Sequence, residues 1–212
     1  MDCCQYQGIE SMFDKKSAKR DLKRYLKKGP STTTKILLNA VNKIGVQGMT
    51  FLDIGGGIGA IQYALIKWGA LNGVSIEASS AYIDSIKEET GENNLTEKVV
   101  FKHGDFTTIA SDLNSSDIVT LDKVICCYDD MNRLVDLSSK LARKIYAVVY
   151  PRDNWWTKLF LPIINFYPKI KGSSFRLFIH PTNKVEDIII KNGLKRIYNT
   201  TRLFWQVAVF IR

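Results

Sequence analysis

Residues 51–60 read FLDIGGGIGA. An apolar run ends on Asp53, three successive glycines (55–57) follow directly, and Gly59 makes a fourth. The run before the glycines reads as a buried strand, and residues 58–68, IGAIQYALIKW, as the helix after it. A glycine turn between strand and helix lets a ligand approach the backbone closely, and the start of the helix leaves N–H donors free. Packing alone does not ask for three glycines in a row, so the turn reads as a ligand cradle.

Working outward, strands and helices alternate. STTTKILLNAVNKIG (31–45) is a helix with Ser/Thr at its start and Gly45 at its end. GVSIE is a second strand and SSAYIDSIKEET a second helix, KVVFKH a third strand and DIVTLDKVI a fourth. DMNRLVDLSSKLA is the next helix and RKIYAVVY the fifth strand. This alternation predicts an α/β, Rossmann-like, mostly parallel sheet with helices on both faces and right-handed crossovers. After a helix at 182–192, LKRIYNTT and LFWQVAVFIR form a hairpin, which puts an antiparallel strand into the sheet.

A chain of 212 residues, 45% apolar and 24% charged, is expected to be one domain. It has no apolar run long enough to span a bilayer and no apolar leader, so a cytoplasmic location is expected. The cysteines form two adjacent pairs, Cys3–Cys4 and Cys126–Cys127, which lack zinc-knuckle spacing and read as reduced thiols, with no metal expected. The net charge of +9 is uneven: residues 15–28, KKSAKRDLKRYLKK, carry eight basic groups and one acid. Ala18, Leu22, Tyr25 and Leu26 fall at helical spacing there, so 14–45 is a helical N-terminal segment with a basic face, ended first at Gly29–Pro30. That face is solvated, or meets an anionic substrate, membrane or RNA.

Two ligand classes fit the glycine turn. Gly55-x-Gly57-x-x-Ala60 is the dinucleotide fingerprint. Asp53-x-Gly55-x-Gly57-x-Gly59 resembles the first motif of class I methyltransferases, which bind S-adenosylmethionine. Glu77, at the end of the second strand, could hold ribose hydroxyls in either. A carboxylate at Asp53 suits a cofactor with a cationic amino-acid end and repels a pyrophosphate. In FKHGDF (101–106), Asp105 with Phe106 beside it resembles the adenine-contacting position of the methyltransferases. The closing hairpin resembles their seven-stranded sheet.

LDKVICCY, the double tryptophan in YPRDNWWTKLF, and FIHP look like the magnesium-protoporphyrin IX methyltransferases and their relatives, a likeness running from about Phe13 to the C-terminus. Where those enzymes usually carry His-Tyr-Pro, this chain has Cys127-Tyr128-Asp129. The resemblance implies methyl transfer and makes Tyr25, Lys28 and Thr34 candidates for contacts to the cofactor carboxylate. Methyl transfer to a carboxylate needs no base, whereas a hydroxyl needs a proton acceptor. Tyr128 and His180 are the catalytic candidates, His180 as a base or substrate-orienting donor, or else as a capping loop residue. Arg152 and Trp155, after the fifth strand, are candidates for binding the substrate, Arg152 through a carboxylate. Residues 151–180 form an aromatic insertion. WWTKLFLPIINFYPKI (155–170) within it is read as a lid over a bulky apolar acceptor, with a peripheral membrane contact as the other reading.

The function expected is O-methylation of a bulky, porphyrin-like small molecule bearing a carboxylate or hydroxyl. RNA methylation, NAD(P)-dependent oxidoreduction and non-catalytic RNA binding are the rivals. The first is disfavoured because the chain lacks an Asn/Asp-Pro-Pro-aromatic motif after strand four and an appended RNA-binding module. The sequence leaves the oligomeric state open.

Overall fold

A computed structural model describes residues 1–90, 95–170 and 172–212. Three helices come first: α1 (Cys3–Met12), α2 (Lys15–Lys28) and α3 (Thr32–Ile44). Next are β1 (Thr50–Ile54), α4 (Ala60–Lys67), β2 (Asn72–Glu77), α5 (Ser80–Thr90), α6 (Leu95–Lys98), β3 (Val99–His103) and α7 (Phe106–Ile109). The chain continues through β4 (Ser116–Asp122), α8 (Met131–Lys140), β5 (Ala142–Pro151), α9 (Trp155–Ile170), α10 (Thr182–Lys191), β6 (Lys195–Arg202) and β7 (Trp205–Ile211).

The seven strands lie in the order β3-β2-β1-β4-β5-β7-β6, with β7 antiparallel to both its neighbours and every other pair parallel. The expected sheet and closing hairpin are therefore present. The period of two along β5 explains the layers. Ile145, Ala147 and Val149 join one core with Leu37, Val41 and Leu65 of α3 and α4. Tyr146, Val148 and Tyr150 join the other with Leu134 and Val135 of α8 and Val185 and Ile189 of α10. Each such buried Leu, Ile or Val contributes about 1.5–3 kcal/mol. The sheet order reverses between β1 and β4, so a crevice opens beyond their carboxyl ends, where open α/β sheets bind ligands.

Several expectations need correcting. The fourth strand stops at Asp122 instead of running on to Ile125, because Lys123 turns out of the sheet at φ 65° and a 3₁₀ turn, Ile125–Cys127, follows. Leu26 of α2 is exposed, while Ala18 alone of that helix is fully buried. Helix α1 was not foreseen, since it buries Gln5 and Gly8 as well as Ile9 and so lacks an apolar stripe. Gln5 Nε2 donates to the carbonyls of Cys127 and Arg176 at 3.0 and 2.7 Å, and a Cβ on Gly8 would lie 2.3 Å from the amide of Phe175. Residues 155–170 are a helix despite Pro162 and Pro168. Position 171 of the 151–180 insertion lies outside the described residues.

Candidate active site at the glycine turn

The glycine turn forms the floor of a cavity of about 390 Å³, within the usual size range of small-molecule sites. The amides of Gly55 and Gly56 both donate to the Ile76 carbonyl, at 2.7 and 3.2 Å, tying the turn to β2. The three glycines differ in what they permit. A Cβ on Gly55 would fall 2.3 Å from Val124 Cγ2, and one on Gly56 2.1 Å from Ser75 Oγ and 2.3 Å from Gln62 Nε2. Packing therefore does demand these two, contrary to the expectation above. Gly57, at φ 54°, would place its Cβ with only Gly55 O nearby, at 3.9 Å, and it alone keeps open space above the turn. Gly59 is the N-cap of α4 at φ 86° and does not line the cavity.

Glu77 ends β2 beside this turn. Its Oε2 accepts from the Gly57 amide at 2.8 Å and its Oε1 from the Ser79 amide at 3.0 Å. Burial raises its pKa, and the backbone donors oppose that rise. The carboxylate lines the cavity and keeps acceptor capacity for a ligand. Phe106 lines the cavity too, but Asp105 does not. Asp105 caps α7 through the Thr107 amide (2.9 Å), accepts from the Tyr128 hydroxyl (2.8 Å) and pairs with the N-terminal amine (3.2 Å).

Asp53 lies beneath the turn, 1% exposed. Its Oδ1 accepts from Thr120 Oγ1 at 2.5 Å, while Oδ2 is buried with no hydrogen-bond partner. Burial pushes its pKa up to about 8, with Asp122 and Glu77 adding to the rise and the Thr120 hydrogen bond opposing it. The unfolded value is about 3.9, so the folded chain binds more protons between about pH 4 and pH 8. Stability should fall as pH rises through that window, by up to about 1.4 kcal/mol per pH unit. Asp53→Asn is expected to flatten that decline and to gain on the wild type between pH 5 and pH 8 in urea unfolding. An unchanged slope would mean that the carboxyl is already ionised in the folded chain at pH 5.

The opposite wall comes from the N-terminal helices and the end of β4. Tyr25 faces the cavity and stacks on Tyr63 at 6.2 Å between centroids, while the lysines of α2 are exposed. Thr34 Oγ1 donates to Asp122 Oδ2 at 2.5 Å. Lys123 Nζ donates to Ser31 Oγ at 3.0 Å, stands 3.5 Å from Asp122 Oδ1, and sits 5.6 Å from the centre of the Trp205 ring. Ser31, Asp122 and Lys123 all line the cavity, and sequence reasoning missed all three. The non-glycine left-handed residue Lys123 is the kind of strain that marks functional sites. Lys28 does not line the cavity.

The remaining candidates divide. Tyr128 lines the cavity, but its hydroxyl is committed to Asp105, and burial beside that carboxylate raises its pKa well above the usual tyrosine value. His180, Arg152 and Trp155 do not line it. His180 Nε2 is 2.8 Å from the Tyr128 carbonyl, and burial lowers its pKa. The Arg152 amide donates to the Phe204 carbonyl, and Trp155 is 64% exposed. No residue of α9 reaches the cavity, so in this structure the helix does not cover it. All four cysteines are free, Cys126 and Cys127 in the cavity wall, and the described residues contain no cluster fit for a metal.

This geometry can be set beside known proteins. Residues 52–144 match the family model described as a methyltransferase domain. Magnesium protoporphyrin IX methyltransferase from Synechocystis PCC 6803, solved with bound S-adenosylhomocysteine, aligns over 98% of this chain and 99% of its own at TM-score 0.72 and 15% identity. The same protein with S-adenosylmethionine aligns at TM-score 0.71 and 14% identity, covering 100% of this chain and 98% of its own. Residues 52–144 carry a methyltransferase domain, a kind that uses S-adenosylmethionine. An O-methyltransferase family 2 protein from Planctomyces limnophilus, complexed with apigenin, aligns over 93% of this chain and 61% of its own at TM-score 0.66 and 14% identity. No curated protein sequence matches the methyltransferase at a significant level.

The residues present fit the methyltransferase cofactor. Gly57 leaves an open approach, Glu77 faces the cavity with acceptor capacity, Phe106 offers an apolar ring, and Asp53 holds an unpartnered oxygen beneath the turn. When bound, S-adenosylmethionine supplies a methyl group activated by its sulfonium. The methyltransferase itself must then align the acceptor atom and exclude water.

Proposed function

We propose that this methyltransferase forms a methyl ester on the carboxylate of a bulky, largely apolar small molecule. Glu77 holds the cofactor ribose, Gly57 admits its backbone-facing side, and Phe106 flanks the adenine. Asp53, which burial keeps largely protonated near neutral pH, favours the cationic amino-acid end only once it loses that proton. The observation that carries the choice of acceptor is the make-up of the cavity. Its far wall is apolar, with Ile9, Phe13, Phe175 and Leu177, and among the described residues neither histidine lines it. A hydroxyl acceptor would need a proton acceptor within hydrogen-bond reach. The Tyr128 phenol, bonded to a carboxylate, keeps its own proton. The carboxylates in the lining are already engaged, Asp122 by Thr34 and Lys123, Asp21 by the Tyr82 hydroxyl and Glu77 by the turn amides. A carboxylate acceptor needs no proton acceptor.

A buried carboxylate does need a cation. Arg152 is outside the cavity, whereas Arg24 and Lys123 both line it; Lys123 is the more buried of the two and takes the anchoring part that the sequence had offered to Arg152. Transfer of radiolabelled methyl to porphyrin carboxylates, phenols, quinols and RNA tests the reading. His180→Ala should lower turnover only slightly, well short of the roughly 10²–10⁴-fold that loss of a general base costs. Lys123→Met should raise the acceptor KM by roughly 10–100-fold, the range of a lost charge-assisted bond, with cofactor affinity held. Transfer to a phenol that collapses in His180→Ala would overturn the ester reading, as would labelling of RNA alone.

A further inference from the structure

Helix α9 is built inside out. Projected at about 100° per residue, Trp156, Leu159, Phe160, Ile163, Phe166 and Ile170 share one arc of roughly 120°. All six are exposed, from 38% for Phe160 to 67% for Ile170. The residues turned to the protein are Thr157 and Pro168, both buried, with Leu161 and Asn165 half-buried beside them. Asn165 fastens the helix by a pair of bonds, donating to the Leu177 carbonyl at 3.0 Å and accepting from the Leu177 amide at 2.8 Å. A helix that folding alone had shaped would bury its apolar arc and show its amide to water.

The apolar surface continues past the helix. Trp155 stacks on Trp156 at 4.0 Å between centroids, Trp156 on Phe160 at 6.4 Å, and Phe160 meets Phe204 edge-on at 6.0 Å. Phe204 and Leu203 form the tip of the β6–β7 hairpin, and Leu203 is 77% exposed at φ 52°. A leucine in a left-handed conformation, where glycine or asparagine is favoured, keeps an apolar side chain at the tip in spite of the strain. The charged residues around this surface are mostly basic. Lys158 and Lys169 lie on the helix, Arg152 before it and Arg202 beside the tip, and the one acid, Asp153, pairs with Lys158 at 2.6 Å. No helix among the described residues is long and apolar enough to cross a membrane.

The geometry points to a docking face for the interface of an anionic lipid bilayer, made of α9 and the β6–β7 tip. Tryptophan and phenylalanine enter the acyl boundary while the lysines and arginines meet the headgroups. Leu177, which Asn165 holds from the inward side of the helix, also lines the active-site cavity, so α9 is fastened directly to the cavity wall. The docking stands whatever the acceptor is.

The test is co-sedimentation of the full chain with vesicles of phosphatidylcholine alone and of phosphatidylcholine mixed with phosphatidylglycerol, alongside the double substitution Ile163→Ser/Phe166→Ser. Leu26→Ser, at an exposed leucine elsewhere, serves as the control. Binding to the mixed vesicles that weakens with salt, and that drops about tenfold or more in the double variant while the control keeps it, is the expected result. Circular dichroism and S-adenosylmethionine affinity equal to wild type show that the variant is folded. Equal binding by wild type and double variant, or no binding to the mixed vesicles, would overturn the assignment. So would a dimer seen by light scattering without lipid and lost in the double variant, if vesicle binding is absent, because the face would then belong to a second copy.

Discussion

Replacing Glu77 by alanine is expected to weaken S-adenosylmethionine binding by about 1.5–3 kcal/mol, roughly 10–150-fold in Kd, the range for a hydrogen bond to a charged group. The carboxylate does two jobs. It is the acceptor at the end of β2 that faces the cavity, and it fixes the Gly57 amide at 2.8 Å. Glu77→Gln retains one carbonyl acceptor and should fall between alanine and wild type. Calorimetry measures both, and thermal unfolding should show a partly offset loss of stability, because the Gly57 and Ser79 amides lose their acceptor while burial already opposes the ionised carboxylate. Equal cofactor affinity in wild type and Glu77→Ala would remove this residue from the site.

The neighbouring glycines should separate folding from binding. Gly56→Ala forces a methyl to within 2.1 Å of Ser75 Oγ and 2.3 Å of Gln62 Nε2. It breaks the 2.8 Å Gln62–Ser75 hydrogen bond between two buried side chains. Overpacking costs about 1–3 kcal/mol and a buried donor or acceptor left unmade about 1–3 more, so the variant should unfold at markedly lower urea. Gly57→Ala meets only Gly55 O, at an ordinary contact of 3.9 Å, but costs about 1–2 kcal/mol for its left-handed backbone. Its methyl stands where a ligand would approach, so it should stay folded and lose cofactor binding. The reverse pattern, with Gly56→Ala folded and Gly57→Ala unfolded, would contradict the geometry of the turn.

These glycines also mark where sequence reading succeeds and where it stops. Period-two runs and a strand–glycine–helix junction are local signals, so the sheet, the closing hairpin, the glycine turn and the place of Glu77 at the end of β2 were all legible. The reason for each glycine was not. Gly56 answers to Ser75 and Gln62, which come against it only when β1 and β2 pair and α4 docks. Asp105 shows the same limit: the sequence places an acid after β3 but not the direction of its carboxylate, which turns away to Thr107 and Tyr128.

Ser31 and Lys123 lie 92 positions apart and meet only because β4 is inserted beside β1 while α3 packs over the sheet. No spacing rule could have joined them. In α9 the apolar content was plain in the sequence. Its outward face was not, since an apolar arc looks alike from either side until Thr157, Leu161, Asn165 and Pro168 are seen to be the residues that pack.

Calorimetric titration of the full chain with S-adenosylmethionine, and separately with NAD, tests the central claim most directly. The cradle around Gly57, Glu77 and Asp53 predicts micromolar binding of S-adenosylmethionine, about −8 kcal/mol, and no measurable heat with NAD. Tight NAD binding with none of S-adenosylmethionine would contradict it.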